Sequence, residues 1–237
     1  MGRIFEKRKA TMFKRYAKMA KAFTKIGREI AIAVKLGGPN PESNSRLRMV
    51  IANAKAVNMP KANVENAIKR ASEKDSTNYE EVVYEGYAPH GVPVLVECTT
   101  NNPTRTVASV RMYFSRAEGS LGTNGSVSYM FERKALFKID ASGLNKDDLE
   151  LELIDFGLEE INFDEEHNHF IIQTAFSDFG AMQQAIEERK FNLIETSKIY
   201  VPTTFKELTP EQEADVMAMI EKMEEDDDIE AVYHNIG

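Results

Sequence analysis

Cysteine is nearly absent. Cys98 is the single one among 237 residues, which excludes an intrachain disulfide and any paired-cysteine zinc or redox motif. It lies in the apolar run VPVLVECTT and reads as a small buried side chain rather than a reactive thiol. The expected setting is reducing and cytoplasmic. No apolar run approaches the roughly 18 residues needed to cross a bilayer, so no membrane partner is expected. The N-terminal stretch is basic but has no uninterrupted apolar core of the signal-peptide kind. It runs without a break into helix, and is expected to belong to the mature fold. Signatures of catalysis are missing too: there is no Walker loop, nucleophile elbow or zinc-protease helix. The glycine-rich segment GSLGTNGS leads into SVSYMF, which reads as a strand, so the segment is expected to be a turn rather than a phosphate loop. His167 and His169 share the turn DEEHNH with Glu165 and Glu166 but lack a further ligand, and His90 and His234 have no ligand-spaced partners. The chain therefore reads as non-enzymatic, with no cofactor and no metal.

Acidic residues are missing from one place in particular. The protein carries a formal net charge of -8, yet no Asp or Glu occurs between residues 7 and 28. Residues 1–75 hold 18 Lys/Arg against 6 Asp/Glu, and residues 76–237 hold 12 against 32. Segregation of charge on this scale points to a polyanionic partner for the basic part. Met12, Tyr16, Met19, Phe23, Ile26 and Ile30 recur at helical spacing and form one apolar stripe. Lys14, Lys18, Lys21, Lys25 and Arg28 follow the same rhythm two positions on, about 200° around the helix, on the opposite face. Solvated faces normally mix signs. Nucleic acid is the favoured partner of this face, with a membrane surface, an acidic protein and plain solvation as the alternatives.

After the break LGGPNPES, Leu47, Val50, Ile51, Ala54 and Val57 signal a second helix, ended by Asn58-Met59-Pro60. Pro60 suits the first turn of a third helix carrying Val64, Ala67, Ile68 and Ala71. Residues 1–75 are thus expected to form a basic three-helix bundle. Its candidate nucleic-acid contacts are Arg3, Lys7, Arg8, Lys9, Lys14, Arg15, Lys18, Lys21, Lys25, Arg28, Arg46, Arg48, Lys55, Lys61, Lys69 and Arg70. From residue 79 the period changes to that of strands. YEEVVYEGY and VPVLVECTT read as strands, TVASVRMYFSRAE as a helix, and SVSYMF as a further strand. Residues 133–202 then follow the order β-α-β-β-α-β of a ferredoxin-like unit. The helix TPEQEADVMAMIEKM and the strand IEAVYHNI complete the layer begun at residue 79. The fold class is therefore α+β in three domains: the bundle, a discontinuous mixed α/β middle domain of residues 79–132 plus 203–237, and an inserted ferredoxin-like domain of residues 133–202.

In the loop TTNNPTRT, Pro103 fits a first helical turn with Asn102 as a plausible cap. Arg105 sits where the helix dipole disfavours a cation. That placement invites an anion, and a phosphate held by helix amides and Arg105 would supply one. Asn101, Asn102 and Arg105 join the candidate contacts on this ground. The run EEDDD at 224–228 reads as a solvated linker, with an acidic patch that competes for the basic bundle as the alternative.

The segments KAFTKIGREI, NSRLRMVIANAKAVNMPKANVENAIKRA, YEEVVYEGYAPHGVPVLVECTTNNPTRTVASVR and GSLGTNGSVSYMF together resemble the YebC-like family, which includes the mitochondrial translational activator of cytochrome c oxidase. The resemblance spans essentially the whole chain. It implies a three-domain α/β protein whose bacterial members are usually labelled probable transcriptional regulators that bind DNA, while other members act on translating ribosomes. The chain departs from the family at its start, with MGRIFEKRKATMF in place of an AGHSKW-type sequence. No recognition helix, homeodomain or zinc finger offers side chains for base readout in a major groove, and lysine-dominated phosphate contact suits structured RNA. A translation factor associated with the ribosome and its RNA is the favoured expectation, a DNA-binding transcriptional regulator the alternative, and a small-molecule sensor built on the ferredoxin-like unit a remote third.

Overall fold

The computed structural model describes residues 2–73 and 76–237, with residues 2–18 described by their backbone alone. The chain divides into two compact units. The first comprises residues 1–81 together with 99–102, and the second comprises 82–98 and 103–237.

In the first unit, α1 (Gly2–Gly37) packs against both α2 (Ser45–Ala56) and α3 (Lys61–Ala71). The apolar stripe ends as the spacing predicts, with Ile26, Ile30 and Ala33 buried. Ile32 and Val34 are buried as well, because two neighbouring helices cover more than one face of α1. Asn44 makes the turn between α1 and α2. Its side-chain oxygen accepts from the backbone N–H of Leu47 at 3.0 Å, capping α2. Its amide nitrogen donates to the carbonyls of Ala33 and Gly38, each at 2.8 Å, closing the end of α1. A Cβ at Gly37 would lie 2.7 Å from the Asn44 side chain, so only glycine fits there. At the far end of α2, Asn58 takes the left-handed conformation (φ 57°) that ends the helix. Pro60 stands just before α3 rather than inside its first turn.

The second unit holds two four-stranded sheets. One has the order β3-β1-β2-β8, from β1 (Glu80–Ala88), β2 (Val92–Thr100), β3 (Ser120–Leu121) and β8 (Ile229–His234). It is covered by α4 (Pro103–Arg116) and α7 (Pro210–Glu224) over a core of Val94, Val96, Val110, Phe114, Val216 and Met223. The other has the order β5-β6-β4-β7, from β4 (Phe131–Asp140), β5 (Leu158–Asp164), β6 (His169–Ala175) and β7 (Leu193–Pro202), with every pair antiparallel. With α5 (Lys146–Leu153) and α6 (Phe179–Glu188) this is the ferredoxin-like arrangement. It is inserted, because β8 returns to pair with β2 of the first sheet.

The segment SVSYMF corrects the reading of it as a strand. Ser128–Met130 form a 3-10 turn, and Phe131 begins β4 of the other sheet. The edge position beside β1 is filled instead by Ser120–Leu121. Glycines permit this pairing: a Cβ at Gly86 would lie 2.5 Å from the Ser120 carbonyl oxygen, and one at Gly119 would lie 2.5 Å from that of Tyr87. Among the described residues no helix is long and apolar enough to cross a membrane.

Candidate nucleic-acid interface

The basic residues of the first unit fall into two groups. Lys55, Lys61, Lys69 and Arg70 are exposed, and the Lys61 side chain is 90% exposed, with a helical-neighbour contact to Glu65 at 3.6 Å. Their ammonium and guanidinium groups stand in water, where a phosphate can reach them. Arg28, Arg46 and Arg48 are instead engaged within the unit. Arg28 donates to the Thr99 carbonyl at 3.1 Å and stands 5.5 Å over the ring of Tyr79. Arg46 pairs with Glu81 at 2.5 Å. Arg48 donates to the carbonyls of Pro41 and Glu42 at 2.8 and 3.0 Å. These three arginines hold the bundle and its following segment together. Lys21 and Lys25 are half-buried on α1. The side chains of Arg3, Lys7, Arg8, Lys9, Lys14, Arg15 and Lys18 lie outside the described residues.

Arg105 has an internal partner. Its guanidinium donates to Asp228 at 2.6 Å, and Thr106 Oγ1 donates to the same oxygen at 2.9 Å. Asp228 is the buried member, its side chain 9% exposed against 53% for Arg105. A carboxylate from the other end of the chain therefore offsets the cation in the first turn of α4, which is the role the sequence left for a phosphate. The same contact corrects the reading of EEDDD as a solvated linker. Asp226 accepts from Tyr113 at 3.2 Å and from the backbone N–H of Asp228 at 2.9 Å. Asn101 and Asn102 are exposed, and Asn102 donates its backbone N–H to Thr100 Oγ1.

The glycine-rich loop does form an anion cradle, and the anion is part of the protein. Glu85 is buried. One of its oxygens accepts from Gly125 N–H at 2.8 Å, and the other accepts from Val127 and Ser128 N–H at 2.8 and 2.9 Å. Burial alone would raise its pKa, but these donated hydrogen bonds outweigh burial and leave it below the usual carboxylate range. Tyr84 donates to the Pro103 carbonyl and Tyr87 to that of Ser126. The block YEGY is thus a structural clamp on the loop and on the start of α4. The Glu85-Gly86 pair interrupting a strand pattern, followed later by a glycine-rich loop, was the sequence signal for it.

Among the described residues no group of three or more His, Cys, Asp or Glu stands close enough to hold a metal ion. His167 bonds Asp164 within its own turn at 2.9 Å. Cys98 is buried, and burial together with Asp226, Asp228, Glu230 and Glu97 pushes its thiol far above the ordinary value.

Known proteins resemble the chain along its whole length. Residues 3–74 match the family profile described as the TACO1/YebC protein N-terminal domain, and residues 79–236 match that described as the TACO1/YebC second and third domain. A protein of Cytophaga hutchinsonii is 53% identical over 237 residues, covering 100% of this chain and 99% of its own. One from Flavobacterium psychrophilum is 52% identical over 236 residues with the same coverage, and one from Myxococcus xanthus is 51% identical over the full length of both. All three bear the name probable transcriptional regulatory protein. The crystal structure of a conserved hypothetical protein from Aquifex aeolicus, 37% identical, superposes with a TM-score of 0.77 over 92% of this chain and 90% of that one.

Proposed function

The chain belongs to the TACO1/YebC family, and from that membership we propose that it is a non-enzymatic regulator of gene expression that grips nucleic acid with its N-terminal helical unit. The observation that carries this reading is the segregation of charge: a net of +12 in residues 1–75 within a protein of net -8. Exposed Lys55, Lys61, Lys69 and Arg70 supply described contact points for phosphates. The preferred nucleic acid is RNA in the translation machinery. Lysine ammonium groups neutralise phosphate without reading bases, and three of the four exposed cations on α2 and α3, Lys55, Lys61 and Lys69, are lysines. A promoter DNA target is the second reading, favoured by the names of the relatives.

Sedimentation of the full-length protein with ribosomes, before and after RNase treatment, separates the two. Co-migration that RNase abolishes supports the RNA reading. Free protein that retards one promoter fragment and ignores ribosomes would replace it with the transcriptional one.

A further inference from the structure

An aromatic ladder runs outward from the core of the ferredoxin-like sheet and ends in an arginine. Phe137 on β4 stacks on Phe179 at 5.3 Å, and Phe179 meets Phe176 at 6.0 Å. The guanidinium of Arg133 lies 3.7 Å over the Phe176 ring and 5.8 Å from the ring of Tyr200. Tyr200 in turn packs edge-on to Tyr233 at 5.2 Å, and the Tyr233 hydroxyl is held by Glu97 and the Lys198 carbonyl, each at 3.1 Å. The Lys198 ammonium stands 6.0 Å from the Phe176 ring. Arg133 faces the helix-covered side of β4, like Ala135 and Phe137, but lies beyond the core and is exposed.

The contrast with other arginines of this unit is chemical. Arg105 is neutralised by Asp228, and Arg189, which also stacks on an aromatic ring (Phe156, 4.7 Å), is neutralised by Glu152. Arg133 has no carboxylate within 4.0 Å among the described residues, and its neighbour Glu132 is taken by Lys134 at 2.7 Å. An arginine already seated on a ring has lost its rotamer freedom before any ligand arrives, which lowers the cost of binding. A delocalised planar cation accepts a nucleobase on its face and a phosphate on its N–H edge. The opposite face of the same sheet, where Lys134, Leu136 and Lys138 alternate with the core residues of β4 and Ile171 and Gln173 with those of β6, carries no aromatic ring at these positions. His169, at the start of β6 on that face, is already stacked on His167 at 5.9 Å.

We propose that Arg133, seated on Phe176 with Lys198 alongside, is a second nucleic-acid contact that takes an unpaired RNA nucleotide. The proposal rests on the nucleic-acid reading above and narrows it to single-stranded or splayed RNA. The test is fluorescence anisotropy with a labelled twelve-nucleotide single-stranded RNA and the matching duplex. Arg133→Gln and Phe176→Leu should each weaken single-strand binding roughly tenfold, the scale of one stacked base, with duplex binding unchanged. Arg133→Lys, which keeps the charge and loses the plane, should be almost as weak, and Arg189→Gln should match the parent protein. Wild-type affinity in Arg133→Gln, or full rescue by Arg133→Lys, would overturn the stacking site while leaving the bundle's role intact. If the parent protein bound neither RNA yet sedimented with ribosomes, the stacking site would fall and the reading of the bundle would stand. Photocrosslinking of 4-thiouridine RNA to the unaltered protein reads the site without a substitution: adducts on peptides containing Arg133, Phe176 or Tyr200 support it, and adducts confined to residues 1–75 refute it.

Discussion

The division of the bundle's cations into free and engaged groups makes a quantitative statement about salt. Lys55, Lys61, Lys69 and Arg70 are exposed, so replacing all four with Gln removes charge without disturbing the packing, and Gln keeps much of the helix propensity of Lys and Arg. Each phosphate left without its cation should flatten the slope of log K against log salt concentration by ~0.7 to 0.9. Four such phosphates give a change of about 3 in that slope. Between 50 and 200 mM salt, a slope of about 3 corresponds to roughly a 60-fold change in affinity, which the parent protein should show over and above the variant. The comparison protein is Arg48→Gln. Its guanidinium is bound to the Pro41 and Glu42 carbonyls, so that change should lower the melting temperature and leave the slope alone. Anisotropy titrations across a series of salt concentrations read both proteins on one structured RNA. An unchanged slope in the fourfold variant would refute the assignment of these residues to the interface, and a fall in slope for Arg48→Gln would refute the division into two groups.

Two further outcomes follow from contacts in the second unit. Arg105→Gln should lower stability by about 0.5 to 1 kcal/mol, a modest figure because the arginine is half-exposed, and it should leave RNA affinity unchanged. Asp228→Asn should cost more, since Asp228 also serves Thr106; an affinity loss in Arg105→Gln with the melting temperature intact would return that arginine to the interface. Glu85→Gln removes the charge that three backbone N–H groups converge on, and should destabilise by about 2 to 4 kcal/mol. Because the folded pKa of Glu85 is depressed, its contribution is full above the ordinary carboxylate value of about 4.3 and is lost as pH falls through the lower folded value. Protection of the Gly125, Val127 and Ser128 amides, taken relative to their intrinsic exchange rates, should therefore fall in the parent protein as pH drops below about 4, and equal exchange in Glu85→Gln and the parent at neutral pH would contradict the clamp.

The sequence by itself determined whatever depends on neighbours along the chain. Helical periodicity placed α1, α2 and α3, because side chains three and four apart share a face whatever surrounds them. Alternation placed most strands, and the β-α-β-β-α-β order was enough to recognise the ferredoxin-like unit. Charge segregation between the two parts of the chain was likewise a matter of counting. Tertiary structure decided everything that depends on residues far apart. The sequence could not show that Arg105 meets Asp228 across 123 positions, so the cation at a helix start looked like an invitation to phosphate. Likewise SVSYMF has the composition of a strand, yet the loop before it wraps the Glu85 carboxylate 40 or more positions upstream, which turns Ser128–Met130 into a 3-10 turn. The split of Arg28, Arg46 and Arg48 from the exposed Lys55, Lys61, Lys69 and Arg70 has the same origin. A charge is free or engaged according to which carbonyls and carboxylates the fold brings within about 3 Å of it, and linear spacing does not contain that distance.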